Sequence, residues 1–109
     1  MMRERLASRR PNNTTVLEFG GEKYLVTCGY YADGRVGEVF IDRKKTKTSG
    51  RIGYALDGMC RDAAVLMSMA LQFGTSIETI SHAVTRDEGG TPATIIGAIC
   101  DHIQEEDKT

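Results

Sequence analysis

The residues best placed to do chemistry stand together in Thr46-Lys47-Thr48-Ser49-Gly50-Arg51, where cationic and hydroxyl side chains precede a long stretch with helical periodicity. The first N–H groups of a helix lack partners within it, and the macrodipole leaves positive charge there, so this order of residues favours a phosphate or a carboxylate. Arg43, Lys44, Lys45, Lys47 and Arg51 supply the charge, and Thr48 and Ser49 the hydroxyls. The expected chemistry is binding, because the G-x-x-x-x-G-K-[ST] order of a nucleotide-hydrolysing loop is absent. Gly89-Gly90-Thr91 precedes a further helix start that could also cradle an anion, although Asp87 and Glu88 beside it oppose one. The basic segment could equally neutralise nucleic-acid phosphates, with Tyr24, Tyr30 and Tyr31, on or beside a strand, stacking on bases. The plainer roles are a solvated loop for the lysines and sheet packing for the tyrosines.

No catalytic residue, metal site or cofactor is expected. Cys28, Cys60 and Cys100 are too few to pair completely, and none has the C-x-x-C spacing of a zinc or redox site. Cys60 falls on the apolar side of the long helix and Cys28 in an alternating strand, both places for a small core residue. Cys100 and His102 are two apart on a helix and point different ways. His82, near the end of a short helix, is explained by that helix's carbonyls. Neither Asp57 with Asp62 nor Asp87 with Glu88 has the look of an acid/base pair. Met59, Met67 and Met69 give the long helix a soft surface that could meet a partner helix.

These residues are carried by an α+β pattern. Residues 15–19 and 24–30 read as strands joined by Gly20-Gly21, and a turn at Ala32-Asp33-Gly34-Arg35 leads to a third strand over 36–42, which makes a three-stranded antiparallel β-meander. One long and two shorter helices follow, packed on one face. The long helix spans 51–73, with Ile52, Ala55, Leu56, Met59, Cys60, Ala63, Leu66, Met67 and Ala70 as its apolar side and Gly74 as its stop. A capping box of Thr75 and Glu78 opens a short helix over 76–83. Thr91 caps the third helix, Pro92 takes its first position, and the helix runs through Ile103.

The chain divides into a flexible basic arm (1–13), one α+β domain (14–104) and an acidic frayed tail (105–109). Its 109 residues carry a net charge of −1 and are 40% hydrophobic and 27% charged, as for one ordinary domain, which excludes a large multidomain enzyme. The neutrality is a cancellation. Up to Arg51 there are 11 Lys/Arg against 6 Asp/Glu, and beyond it 3 against 9, net charges of +5 and −6. Such a dipole can steer an anionic partner or let two copies meet. Nothing in the first thirty residues reads as an export signal and no apolar run approaches membrane-spanning length, so cytoplasmic location, reduced thiols and no membrane contact are expected.

The block Tyr24-Leu25-Val26-Thr27-Cys28-Gly29-Tyr30-Tyr31-Ala32-Asp33-Gly34-Arg35-Val36-Gly37-Glu38-Val39-Phe40-Ile41-Asp42 resembles the start of the TSCPD-type domain found near the C-terminus of adenosylcobalamin-dependent ribonucleotide reductases. The likeness continues in Leu71-Gln72-Phe73-Gly74, after Met69-Ala70, and in Ser76-Ile77-Glu78-Thr79, covering roughly residues 17–103. The string that gives the domain its name would fall at Gly89-Gly90-Thr91-Pro92-Ala93, where the Pro is kept and the Cys and Asp are missing. The resemblance implies a stand-alone, non-catalytic accessory domain without the reductase's barrel, radical cysteine or cobalamin site. Its implied partner is a protein, such as a ribonucleotide reductase or another enzyme of nucleotide metabolism. A homodimer and a nucleic-acid or phosphate ligand are the further expectations.

Overall fold

The computed structural model describes residues 2–45 and 50–107, apart from the side chains of Arg51 and Asp107. Strands β1 (Asn12–Phe19), β2 (Glu22–Tyr30) and β3 (Val36–Arg43) form an antiparallel sheet in the order β1-β2-β3, followed by helices α1 (Gly50–Gln72), α2 (Ile77–Ala83) and α3 (Ile95–Asp107). Phe19 pairs with Glu22 around Gly20 and Gly21, whose φ of 58° and 80° are those of a type I′ turn, the hairpin turn whose twist suits the strands it joins. The α+β meander read from the sequence is the observed fold.

Strand alternation then divides the side chains between the two faces. Tyr24, Val26 and Cys28 pair with Arg43, Ile41 and Val39 on the covered face, and Leu25 and Thr27 pair with Asp42 and Phe40 on the open one. Val16, Leu25 and Phe40 are exposed there, and Thr14 and Thr27 share a hydroxyl hydrogen bond of 2.8 Å. The core joins the covered face to Cys60, Ala64, Met67 and Leu71 of α1 and to Ile95, Ile99, Cys100 and Ile103 of α3. Ile99 and Ile103 are fully enclosed, each contributing about 1.5–3 kcal/mol by burial.

Helix α1 also shields the outer edge of β3. The Val39 N–H donates to Ser68 Oγ (2.8 Å), the Ser68 hydroxyl donates to the Val39 carbonyl (3.2 Å), and Gln72 Nε2 donates to the Gly37 carbonyl (2.9 Å). These bonds satisfy backbone groups that an open edge would present to another strand. At its end the N–H of Thr75 reaches the Ala70 carbonyl (2.9 Å) and that of Gly74 the Leu71 carbonyl (3.2 Å), a Schellman closure.

Several boundaries differ from those read in the sequence. Ser76, not Thr75, caps α2 by accepting from the Thr79 N–H at 3.1 Å. Helix α3 starts at Ile95 behind Thr94, whose Oγ1 accepts from the Ile96 N–H at 3.2 Å, because residues 85–93 fold back on themselves: Arg86 pairs with Pro92 and the Ala93 N–H donates to the Thr85 carbonyl. That helix continues to Asp107, through most of the segment read as an acidic tail. At the other end, β1 begins at Asn12, and the preceding residues lie against the domain. The Glu4 N–H donates to the Gln72 carbonyl (2.7 Å), Arg3 Nε to Gln72 Oε1 (2.5 Å), and Arg10 forms an ion pair with Glu38 (2.5 Å) that lies over Gly29 on the sheet.

Candidate functional site

Only part of the basic segment lies within the described residues. Lys47, Thr48 and Ser49 fall outside them, as does the side chain of Arg51, while Lys44 and Lys45 are exposed just after β3. Arg43 is a correction to the anion-site reading. Its side chain is 1% exposed and ion-paired with Asp57 of α1 (2.8 Å) and Glu22 of β2 (3.3 Å), the Asp57 hydrogen bond above all holding its pKa above the ordinary value. Two residues beyond Ile41, it continues the inward-facing set of β3, so its charge serves to join sheet and helix.

The tyrosines are likewise spent in the fold. Tyr24 lies in the core, and Tyr31 is buried with its hydroxyl donating to the Glu4 carbonyl (2.5 Å) and its ring 4.6 Å from the Arg35 guanidinium, so neither has a free face for a base. Tyr30 is half-buried, and loss of water pushes its hydroxyl up to about 12. In the Gly89-Gly90-Thr91 loop, Asp87 Oδ1 already accepts from the Gly89 and Thr91 N–H groups (2.9 and 3.0 Å). The protein's own carboxylate therefore takes the donors that an anion would use.

All three thiols are buried. Burial pushes Cys28 and Cys100 up to about 11 and Cys60 above its ordinary value, the reverse of what a thiolate nucleophile needs. His102 turns toward Glu106, with Nε2 to Oε1 3.0 Å, one turn along α3. Among the described residues, no three of His, Cys, Asp and Glu come together as metal ligands, and no helix is long and apolar enough to cross a membrane.

The methionine surface expected of α1 divides, with Met67 in the core and Met59 and Met69 in water, and Met59 is part of a larger apolar stripe that the sequence pattern alone does not separate from the core side. The apolar side expected of this helix is centred on Ile52, Ala63 and Ala70, but the sheet takes only its flank, through Cys60 and Met67, together with Gly53, Ala64 and Leu71 about one residue (~100°) further round. The helix therefore has two apolar stripes, one of them in water. Ile52, Met59, Leu66 and, at the helix end, Phe73 are 85%, 70%, 67% and 39% exposed. With Leu56, Ala63 and Ala70 they recur at alternating four- and three-residue steps, the seam spacing of paired helices. An apolar groove of about 410 Å³ runs beside the stripe, between Leu66 and Ala70 of α1 and Ile80, Val84 and Ile96. A cavity of about 420 Å³ lies on the opposite side of the helix, between α1 and β3, past Val65, Met69 and Phe40 and with Arg3, Glu38, Asp42 and Arg61 in its lining. Among the described side chains, Asp62 is the one charged residue within the outward arc. The seven-residue recurrence was the available signal; a helix apolar nearly all round cannot be satisfied by one sheet.

Arg86 was missed, and no local pattern announces it. Its guanidinium donates to the Ser81 carbonyl (3.2 Å) and Ser81 Oγ (2.9 Å), the Gly90 carbonyl (3.0 Å) and both Asp101 oxygens (3.2 and 2.8 Å), joining α2, the loop and α3. Those bonds hold the Asp101 carboxyl below its ordinary pKa.

Residues 3–106 match the TSCPD domain. The chain is 36% identical over 83 residues to a vitamin B12-dependent ribonucleotide reductase of Agrobacterium fabrum, covering 76% of this chain and 6% of that protein. The enzymes of the same name from Bradyrhizobium diazoefficiens and Streptantibioticus cattleyicolor are each 35% identical, over 76% and 72% of this chain and 6% and 12% of theirs. The chain thus spans a small fraction of the length of these relatives. No solved structure matches it.

Proposed function

The chain belongs to the TSCPD domain family, and from that membership we propose that it is a non-catalytic accessory domain, related to the C-terminal region of B12-dependent ribonucleotide reductases, that acts by binding protein. The observation that carries this reading is the outward stripe of α1. A helix that has already buried one apolar face against its own sheet has no intramolecular use for a second. The buried, high-pKa thiols and the structural tasks of Arg43 and Asp57 support a role in binding over one in chemistry.

The test is binding to a purified B12-dependent ribonucleotide reductase, measured with the wild-type chain and with Leu66→Glu. Saturable binding that Leu66→Glu abolishes and added salt leaves intact is the expected outcome. Absence of binding to the reductase by the wild-type chain contradicts the proposed partner class.

The second reading is a nucleic-acid or phosphate ligand held by Lys44, Lys45, Lys47 and Arg51, favoured by the exposure of Lys44 and Lys45 after β3. It predicts affinity that falls steeply with salt and falls again in the Lys44→Ala/Lys45→Ala variant. With Arg43, Tyr24 and Tyr31 committed to the fold, it has fewer groups to work with than the sequence offered.

A further inference from the structure

We infer that the outward stripe of α1 pairs with the same stripe of a second copy, the two helices running antiparallel about a twofold axis at Ala63. This rests on the reading of that stripe as a protein-contact surface and names the occupant.

The stripe is complementary to itself. Turned end for end about Ala63, the run Ile52, Leu56, Met59, Ala63, Leu66, Ala70, Phe73 sets Ile52 opposite Phe73 of the second copy, Met59 opposite Leu66, and Leu56 opposite the small Ala70. Alanine meets alanine at the axis, where two helices must approach most closely. A twofold interface requires this property, that one patch fits its own rotated image, whereas contact with an unrelated protein does not.

The size is also right. Ile52, Met59, Leu66 and Phe73 leave on the order of 500 Å² in water, within the range for the largest patch on a soluble monomer. A standard interface buries roughly 800 Å² on each partner. A second α1 laid along the first would also enter the groove bordered by Ile80, Val84 and Ile96, which supplies the rest. Charge is nearly absent from the seam itself, so neither a basic nor an acidic partner is selected. Asp62 sits at its margin, on the same side of the axis in both copies, and like charges there predict a dimer that tightens as salt rises.

Sedimentation and light scattering on the full chain test the pairing. The expected mass at micromolar concentration is twice the 12.0 kDa of the chain, falling to the single-chain mass in Leu66→Glu, whose far-UV circular dichroism should remain that of the folded wild type while its thermal midpoint falls by the stabilisation the dimer supplied. Geometry is tested by Ala63→Cys with diamide as oxidant, since the native thiols are buried. Ala63→Cys should form an intermolecular disulfide quickly, while Val65→Cys, exposed but on the far side of the helix, should not. A single-chain mass for the wild type, a dimer indifferent to Leu66→Glu, or cross-linking through position 65 as fast as through 63 would each overturn the inference. If the wild type is a monomer whose binding to the reductase is lost in Leu66→Glu, the contact reading stands and the second-copy inference falls. If Leu66→Glu alters neither mass nor binding, both fall.

Discussion

Helices α1 and α3 are both amphipathic and both lie on the sheet, yet only α3 is finished by its own chain. The apolar residues Ile95, Ile99, Cys100 and Ile103 of α3 all reach the core. In α1, Cys60, Ala64, Met67 and Leu71 do the same, while Ile52, Met59 and Leu66 stay in water. Burial of the inner stripe accounts for the fold, and exposure of the outer one must be accounted for outside it.

Substitutions can break this comparison, and the largest effect belongs in α3. Ile99→Ala, which leaves a cavity at a fully enclosed site, should cost about 2–5 kcal/mol of unfolding free energy in denaturant titration. Leu66→Ala in the monomeric state should stay within about 0.5 kcal/mol of wild type. Equal losses at the two sites would erase the distinction between the helices.

Next comes Arg43→Ala, which strands the Asp57 carboxylate that ties α1 to the sheet. It should lower the thermal midpoint of the whole domain, and a midpoint at the wild-type value would show that the inner apolar stripe and the Ser68 and Gln72 bonds hold α1 without the Asp57 pair.

The thiols sharpen the same contrast. Cys28 and Cys100 hold their protons more tightly in the fold than at the ordinary value of 9.0, so the stability they confer is complete below pH 9 and is lost as pH rises through about 11. In the native protein at pH 8, Cys28, Cys60 and Cys100 should resist iodoacetamide and become reactive on unfolding. Fast labelling of Cys60 would mean that even the inner stripe of α1 opens to water. The smallest effect is expected of Lys44→Ala/Lys45→Ala, which should leave stability within about 0.5 kcal/mol and protein binding unaltered.

Much of the fold was legible because it rests on local rules. Gly20-Gly21 between alternating strands specifies a hairpin, and the composition after Arg51 specifies helices. The start of α3 was misplaced because Thr91-Pro92 carries a good local helix signal that the Arg86–Pro92 pairing and the Asp87 turn override. The candidate site was less legible. Arg43 reads as part of a basic run until the strand is extended by one residue, which turns it inward to Asp57 and Glu22. Periodicity shows that α1 has an apolar side, and its methionines suggest a contact surface, without showing how much of that side a three-stranded sheet can cover. The Arg86 and Arg10–Glu38 contacts join residues distant in sequence, which spacing alone does not register.

The claim that the outer stripe of α1 is a contact surface is tested most directly by the oxidation of its methionines, read residue by residue with dilute peroxide at rising protein concentration and again with the reductase added. Met59, 70% exposed in the single chain, should oxidise quickly when dilute and become protected on assembly, while Met67 on the inner stripe stays protected throughout. A Met59 rate that is the same at every concentration and unmoved by the reductase would contradict the account.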